Sequence, residues 1–337
     1  MIQVVSPGPL TLILDQGRYA GLSQGLSACG PMDPLSLHLA LALTGAGEDA
    51  AALEFVLQGP VLRFSAPALV AVTGAPAPCA LDGVPVPMYR TVQVQPGQTL
   101  HIGSMKEGLR GYVSIAGGLQ VPPVLGSRAT DLKSGLGGLS GRSLREGDIL
   151  SFSDGPEVCL ACPPLSLPPR DMPWTVRFLP GPQADCLRDG MEALTASVWT
   201  VGSDSDRMGL RLRGTPLQGE NQGSMITEGV TMGSLQLPPG GCPLLMMADH
   251  QATGGYPKIA TVISADLTLC AQIRPGQSLR FQPVTLSDAR SARGLLLTRT
   301  RPAPVLACRD LCVRFHGSVF TVNVTERETG DELHASR

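Results

Sequence analysis

The stretch "VQPGQTLHI" at 94–102 returns as "IRPGQSLRF" at 273–281, in the other half of a chain of 337 residues. Each copy reads as a β-strand, a Pro-Gly turn and a second β-strand. Pro presets the first corner of such a turn, and Gly accepts the left-handed backbone at the next position. The repeated turn predicts two similar β-rich units in one chain.

Two fainter repeats precede this one, in the same order along both halves. They pair "GRYAGL" at 17–22 with "DRMGLRL" at 206–212, and "EFVLQGPVLRF" at 54–64 with "EGVTMGSLQL" at 228–237. The shared order favours duplication of one ancestral domain, whereas chance likeness between β-turn sequences is the alternative.

The composition agrees with many short strands joined by tight turns. The chain has 40 Gly and 30 Pro, and only 4% of its residues are aromatic, a mixture typical of mainly β proteins. The strands predicted most clearly are 61–64, 69–72, 91–94, 99–102, 111–116 and 174–179.

One main helix is predicted, over residues 33–44, with few others. Asp33 is a good N-cap and Pro34 suits the first helical position. An apolar run follows and stops at Gly45, a natural helix end.

A proline-rich stretch, "CLACPPLSLPPRDMPW" at 159–174, reads as a linker between the two units. We therefore expect one domain over residues 1–165 and a second over 172–289. The remaining residues, 290–337, are expected to form a C-terminal extension that is partly β or disordered.

Charge and hydropathy exclude several classes of function. Charged residues make up 16% of the chain and the net charge is −2, whereas nucleic-acid binding needs a basic face. No run approaches 18 uninterrupted apolar residues, so no membrane span is expected. The start, "MIQVVSPGPL", lacks the basic and apolar regions of a signal peptide, so a cytoplasmic location is predicted.

The sequence Gly21-Leu-Ser-Gln-Gly25 matches the G-x-S-x-G pattern of a serine hydrolase. In those enzymes the serine sits on a tight strand-to-helix turn. Here about eight residues separate the motif from the helix at 33–44. Ser23 is therefore expected to lie in a glycine-rich surface loop and not on the strand-to-helix turn of a nucleophilic serine.

The nine cysteines are scattered, which favours free thiols. Cys159 and Cys162 form one close pair, and Cys308 and Cys312 form another. A zinc site from both pairs is conceivable, but small apolar side chains are the simpler interpretation. We expect no metal.

Three glycine-rich stretches carry most of the residues that look chemical. In 117–142, Ser127 and Arg128 lie among seven glycines, whose backbone N–H groups can approach an anion. A plain long loop is the alternative there. In 201–214, Asp204 and Arg207 lie on a turn, where an intramolecular salt bridge is the commoner outcome.

The third stretch is 246–267, a polar entrance to an apolar strand. Such a rim is typical of a ligand pocket. His250 could act as a general base, although a lone His is more often structural. The polar residues of the stretch are Asp249, His250, Gln251, Thr253, Tyr256 and Lys258.

These stretches carry a resemblance to a known family. The quoted sequences are "LSACGPMDPLSLHLALALTG", "LRGYVSIAGGLQVPPVLGSRATDL", "GRSLREGDIL", "SDSDRMGLRLRG", "ADHQATGGYPKIATVISADL" and "QIRPGQSLRF". Together they resemble the biotin-dependent carboxyltransferase family, once labelled allophanate hydrolase subunit 2, from about residue 3 to 289. The family includes the C subunit of bacterial 5-oxoprolinase, Kip-type regulators of sporulation kinases and the carboxyltransferase part of urea carboxylase. The resemblance implies a mainly β fold of tandem cyclophilin-like β-barrels with few short helices.

The chain departs from the family pattern in two places. The helix at 33–44 usually ends with an Asn near its glycine, and Thr44-Gly45-Ala46 stands here instead. Residues 290–337 match nothing in the family.

The resemblance also implies a function. The chain has no Met-Lys-Met biotin-carrier sequence, and stand-alone members resemble the 5-oxoprolinase component, which helps to open 5-oxo-L-proline to L-glutamate. The implied partners are the other two components of that enzyme, a Kip-type B subunit together with an A subunit. ATP is expected as a substrate of the complex, with no cofactor bound firmly by this chain. The alternatives are a carboxyltransferase subunit that uses carboxybiotin and a regulatory protein that binds a Kip-type kinase inhibitor.

We expect the site in a cleft between the two barrels, because ligand sites favour domain interfaces. Arg128 is the first candidate for a bidentate carboxylate anchor and Arg207 the second. Lys258 could stabilise charge on the lactam oxygen or a phosphoryl group. The candidates are Lys258, His250 and Asp249 as catalytic residues, and Ser127, Arg128, Asp204, Arg207, Thr253 and Tyr256 as substrate-binding residues.

Overall fold

The structure is a computed structural model that describes residues 1–219, 225–315 and 318–327; within 306–315 and 318–327 it describes the backbone. The chain is mainly β, as the sequence predicts. None of the helices in the described part is both long and apolar enough to cross a membrane.

The first half, residues 1–161, contains twelve strands and one α-helix. In chain order they are β1 (Ile2–Ser6), β2 (Thr11–Leu14), α1 (Pro34–Thr44), β3 (Ala52–Val56), β4 (Val61–Phe64), β5 (Ala68–Gly74), β6 (Cys79–Leu81), β7 (Val84–Val86), β8 (Thr91–Val94), β9 (Thr99–Ile102), β10 (Arg110–Ile115), β11 (Ile149–Leu150) and β12 (Leu160–Ala161).

Eleven of these strands form two sheets that enclose one core. A six-stranded sheet has the order β11-β1-β4-β9-β6-β7, and a five-stranded sheet has the order β2-β3-β10-β5-β8. The core between them includes Val4 and Phe64 from the first sheet and Phe55, Val72 and Val113 from the second. Helix α1 covers the outer face of the five-stranded sheet, which explains why every residue of β10 is buried.

The ends of α1 are those that the sequence predicts. The Asp33 side chain accepts a hydrogen bond from the Ser36 backbone N–H, and Pro34 opens the first turn. Gly45 ends the helix at φ +64°, where a β-carbon would be strained.

The second half forms a closed barrel of seven strands. Its elements are β13 (Trp174–Pro180), α2 (Gly190–Ala196), β14 (Trp199–Val201), β15 (Gly209–Arg213), β16 (Glu228–Gly229), β17 (Ser234–Gln236), β18 (Leu244–Met246), β19 (Thr253–Gly254), β20 (Lys258–Val262), α3 (Leu267–Gln272) and β21 (Ser278–Pro283). The barrel order is β13-β20-β17-β18-β15-β14-β21, while β16 and β19 form a separate two-stranded ribbon. Trp174, Phe178 and Trp199 fill the barrel core.

After the barrel come α4 (Leu286–Thr300), β22 (Ala303–Phe315) and β23 (Ser318–Arg327). The hairpin of β22 and β23 extends β12 into a three-stranded sheet. The sequence predicts the β content of the extension but not α4. The predicted end of the second domain, residue 289, falls inside this helix. The division into domains remains a prediction.

The Pro-Gly repeat is confirmed at the level of single hydrogen bonds. Gly97 and Gly276 both adopt a left-handed backbone, with φ of +89° and +85°. The Gln98 side chain accepts from the Gln95 N–H at 2.8 Å, and the Gln277 side chain accepts from the Arg274 N–H at 2.7 Å. The two turns are therefore built alike.

The flanking elements differ between the two copies. The first turn joins β8 to β9, but the second follows helix α3, so the predicted strand before it is wrong. Residues 19–24 form a 3₁₀ turn, whereas their faint match continues as strand β15. The other faint match pairs β4 with β17, which have different neighbours in their sheets. Local turn chemistry is shared, and the sheets around it are not.

Ser23 lies exposed in that 3₁₀ turn. The turn ends at Gly25, well before α1 begins. The prediction that Ser23 is not on a nucleophile elbow is confirmed.

Candidate functional site

A cavity of about 810 Å³ lies between the two halves of the molecule. Its volume is within the range of about 300–1,000 Å³ that is usual for ligand pockets. The first half lines it with Leu10, Ser27, Val56, Leu57, Leu109, Arg110, Asp131, Leu132 and Lys133, and the second half lines it with Ser205, Asp206, Arg207, Met208, Asp249, Arg274 and Pro275. The walls are apolar with cations and carboxylates set among them.

Arg207 is the most heavily bonded of these cations. Its guanidinium forms a bidentate pair with Asp249, at 3.0 and 2.9 Å, and a second ion pair with Glu54 on β3. It also donates to the Gly30 carbonyl at 2.7 Å. Burial works against the charge, but the two carboxylates outweigh it and raise the pKa of Arg207 above its ordinary value. Arg207 thus joins the second half to two parts of the first.

A turn places Arg207 in this position. The Asp206 carboxylate accepts the backbone N–H groups of Met208 and Gly209, which fixes the turn before β15. The Arg207 carbonyl in turn accepts the Asp249 N–H at 2.9 Å. Side-chain and backbone bonds therefore hold the same pair of residues together.

A buried polar network continues from Glu54 into the interface. Tyr112 donates to Glu54 at 2.6 Å and accepts the Asp33 backbone N–H at 2.8 Å. Burial, with Glu54 and Asp33 nearby, raises the pKa of Tyr112 well above its ordinary value. Asp33 also accepts Thr268 Oγ1 and Gln272 Nε2, both at 2.9 Å. The N-cap of α1 is therefore also a contact between the halves.

Two further arginines line the cavity, and the sequence did not point to either. Arg110 opens β10 and donates to the Ala271 carbonyl, and its Nε is buried without a partner. Arg274 follows α3 and donates to the Gly108 and Met105 carbonyls. Arg110 lies near the start of the family-like stretch at 109–132, and Arg274 lies near the start of the repeat at 273–281.

A second cavity, of about 300 Å³, lies beside the first. Its walls come from the glycine-rich segment before α1 and from Val230, Thr231, Met232, Ala248 and His250. His250 Nδ1 lies 2.7 Å from the Gln251 carbonyl, so Nδ1 carries the hydrogen and Nε2 is the acceptor when the ring is neutral. Ala28 and Gly30 line this cavity while Ser27 lines the larger one, so this segment forms part of the wall between them.

The structure brings together some of the residues predicted from the sequence. Arg207 and Asp249 line the larger cavity, and His250 lines the smaller one. Ser127 and Arg128 lie elsewhere: the Ser127 hydroxyl and the Arg128 backbone N–H donate to the Asp15 carboxylate, and the Arg128 guanidinium donates to the Val121 carbonyl at 3.1 Å, so both residues brace the long loop. The catalytic and binding roles of all these residues remain predictions.

The other four predicted residues lie away from both cavities. Asp204 is exposed and pairs with Arg213 at 3.1 Å, which lowers the pKa of its carboxyl group. Thr253 is on the β16–β19 ribbon, and Tyr256 is exposed just beyond it. Lys258 pairs with Glu228 on the same ribbon, at 2.8 Å. These residues are not brought together with Arg207.

The described residues include no group of three or more His, Cys, Asp and Glu side chains placed to bind a metal ion. None of the seven cysteines whose side chains are described, Cys159 and Cys162 among them, forms a disulfide. The side chains of Cys308 and Cys312 lie outside the described part.

Comparison with known proteins gives a consistent picture. Residues 24–283 match the model of the family described as "Carboxyltransferase domain, subdomain A and B". The chain is 37% identical to the 5-oxoprolinase C subunit of Haemophilus influenzae, over 87% of this chain and 94% of that one. It is 36% identical to the Escherichia coli protein of the same name, again over 87% and 94%.

A solved structure supports the same fold. The Kluyveromyces lactis urea carboxylase superposes with a TM-score of 0.81 at 26% identity. The match covers 98% of this chain and 33% of the solved one. This chain therefore corresponds to about a third of that larger protein.

Proposed function

The chain belongs to the family of carboxyltransferase domains with subdomains A and B, and from this membership we propose that it is the C subunit of a 5-oxoprolinase. The proposed reaction opens the ring of 5-oxo-L-proline to give L-glutamate and consumes ATP. ATP is a substrate of the assembled enzyme, and this chain holds no cofactor firmly. The enzyme acts in the cytoplasm.

The coupling to ATP has a simple chemical reason. A lactam carbonyl is a poor electrophile because amide resonance stabilises it. Phosphorylation of its oxygen creates a leaving group and removes that resonance. A component of such an enzyme needs to bind a small carboxylate and to stabilise developing negative charge.

One observation carries the proposal. The match to the Haemophilus influenzae protein covers 94% of that protein. A relative named putative urea carboxylase, from Emericella nidulans, is 33% identical but only 25% of it is covered. The likeness therefore extends over a whole subunit in the first case and over one part of a larger protein in the second.

The proposed partners are a Kip-type B subunit together with an A subunit. The experiment is to purify the three proteins and to measure release of ADP that depends on 5-oxo-L-proline, together with formation of L-glutamate. We expect full turnover from the three proteins and low activity from this chain alone. Full turnover by the isolated chain would contradict the proposed partners, and no substrate-dependent ADP release by the full set would contradict the proposed function.

A second candidate is a carboxyltransferase that acts with carboxybiotin. The superposition on the Kluyveromyces lactis urea carboxylase favours it, since it covers almost the whole of this chain. The same preparation, supplied with a biotinylated carrier, separates the two candidates. Carboxyl transfer without ring opening would favour the second.

A further inference from the structure

Arg110 is a buried cation with few partners. It is 5% exposed, yet its one hydrogen bond from the side chain goes to the Ala271 carbonyl, and its Nε has none. No carboxylate in the described part of the chain forms a salt bridge with it. Burial lowers the pKa of Arg110, and the charge of Glu54 offsets this only in part.

Arg274, from the second half, also lines the larger cavity. It donates Nε to the Gly108 carbonyl and Nη2 to the Met105 carbonyl, at 2.9 Å for the second. Its side chain therefore follows the segment that leads into Leu109 and Arg110. Within the described ranges Arg274, too, forms no salt bridge, and burial lowers its pKa.

The carboxylates of the cavity have other partners. Asp249 forms an ion pair with Arg207, which also forms an ion pair with Glu54. Asp131 accepts the backbone N–H groups of Lys133 and Ser134, and Asp206 accepts those of its own turn. Neither arginine therefore forms an ion pair with a carboxylate of the described residues, and Glu54, whose charge acts on Arg110, is already paired with Arg207.

A buried charge without a partner is unfavourable unless something compensates it. An arginine offers five N–H donors in a planar fork that fits a carboxylate. Arg110 and Arg274 use few of theirs, and both line an apolar cavity of ligand size. An anion that enters the cavity from solution would supply the acceptor that these unused N–H donors lack.

We propose that Arg110 and Arg274 together bind the carboxylate of a small organic acid in the cavity between the two halves. The identity of the acid rests on the proposed function, which makes it 5-oxo-L-proline. Its ring would pack on the apolar wall formed by Leu10, Val56 and Leu109. The proposal differs from the sequence-based candidates, since Arg128 lies outside the cavity and Arg207 is already paired.

Calorimetric titration of the isolated chain tests this proposal. The probes are 5-oxo-L-proline and 2-pyrrolidinone, which has the same ring without the carboxylate. We expect 5-oxo-L-proline to bind roughly ten- to a hundredfold more tightly, as charge-assisted hydrogen bonds require. Arg110→Gln and Arg274→Gln should each weaken the binding of 5-oxo-L-proline by a similar factor. The affinity for 2-pyrrolidinone should stay unchanged in both variants.

The matched control is Arg280→Gln, an exposed arginine on β21 outside the cavity. It should bind both probes as the wild type does. Because Arg274 is only partly buried, its variant also serves if Arg110→Gln does not fold. Wild-type affinity in both variants overturns the proposal, as does a failure of 5-oxo-L-proline to bind both the isolated chain and the three-component complex.

The result is separable from that of the proposed function. If 5-oxo-L-proline binds through both arginines while the complex shows no dependent ADP release, the anchor stands and the proposed function fails. If the complex turns over and neither variant changes the KM for 5-oxo-L-proline, the function stands and the anchor fails.

Discussion

The arginines that line the larger cavity differ in their partners. Arg207 contacts two carboxylates and a carbonyl, so that its charge is matched within the protein. Within the described residues, the side-chain hydrogen bonds of Arg110 and Arg274 go to backbone carbonyls. The first arrangement is suited to holding the two halves together. The second leaves positive charge available to a ligand, at some expense in stability.

The largest effect is expected for Arg207→Met. The substitution leaves Glu54 and Asp249 at the interface without their cation, and breaking such a pair costs about 3–5 kcal/mol. The free energy of unfolding in urea measures it. Arg213→Met is the control, because that exposed arginine pairs with Asp204 in solvent and should change stability little. An equal loss of unfolding free energy in the two variants would show that the buried ion pairs of Arg207 contribute no more to stability than the exposed pair of Arg213.

A smaller loss is expected for Asp33→Ala. The variant loses the N-cap of α1 and removes the acceptor of Thr268 Oγ1 and one of the two acceptors of Gln272 Nε2, which keeps the Arg110 carbonyl, so we expect about 2–4 kcal/mol. Hydrogen exchange should quicken in both α1 and α3, since the contact joins the halves. Thr285→Ala removes the exposed cap of α4 and should cost about 1 kcal/mol. An equal effect of the two caps would show that Asp33 has no role beyond its helix.

The smallest effect on stability is expected for Arg110→Gln. The substitution removes a buried charge that has no carboxylate partner and gives up one hydrogen bond, so the two changes oppose each other. The free energy of unfolding should stay within about 1 kcal/mol of the wild type. A loss as large as that of Arg207→Met would mean that Arg110 is structural.

Much of the fold follows from local signals in the sequence. Helix α1 was predicted to within a residue, because Asp33, Pro34 and Gly45 each act on the backbone next to them. The strands β4, β8 and β9 were predicted with the bounds that they have. Helix α4 was not predicted, although the sequence contains the Thr285 and Asp288 of its capping box.

Which residues line the cavity was predicted less well than the fold, for a physical reason. Polar residues in glycine-rich stretches stand out in a sequence, and this signal selected Arg207 and Asp249, which line the larger cavity and whose roles remain predictions. It also selected Arg128, which braces a loop. The pattern of polar residues in the sequence cannot show which cations form ion pairs with carboxylates. Glu54 pairs with Arg207 only when the two halves pack together. Arg110 belongs to an apolar strand, so nothing in its neighbours marks it.

The most direct measurement of the central claim is a crystal structure of the chain with 5-oxo-L-proline. We predict the ligand in the cavity between the halves, with its carboxylate within hydrogen-bond distance of both Arg110 and Arg274, and with the pairing of Arg207 to Glu54 and Asp249 intact. A carboxylate bound to Arg207 in place of Asp249, or seated in the smaller cavity beside His250, would contradict the account.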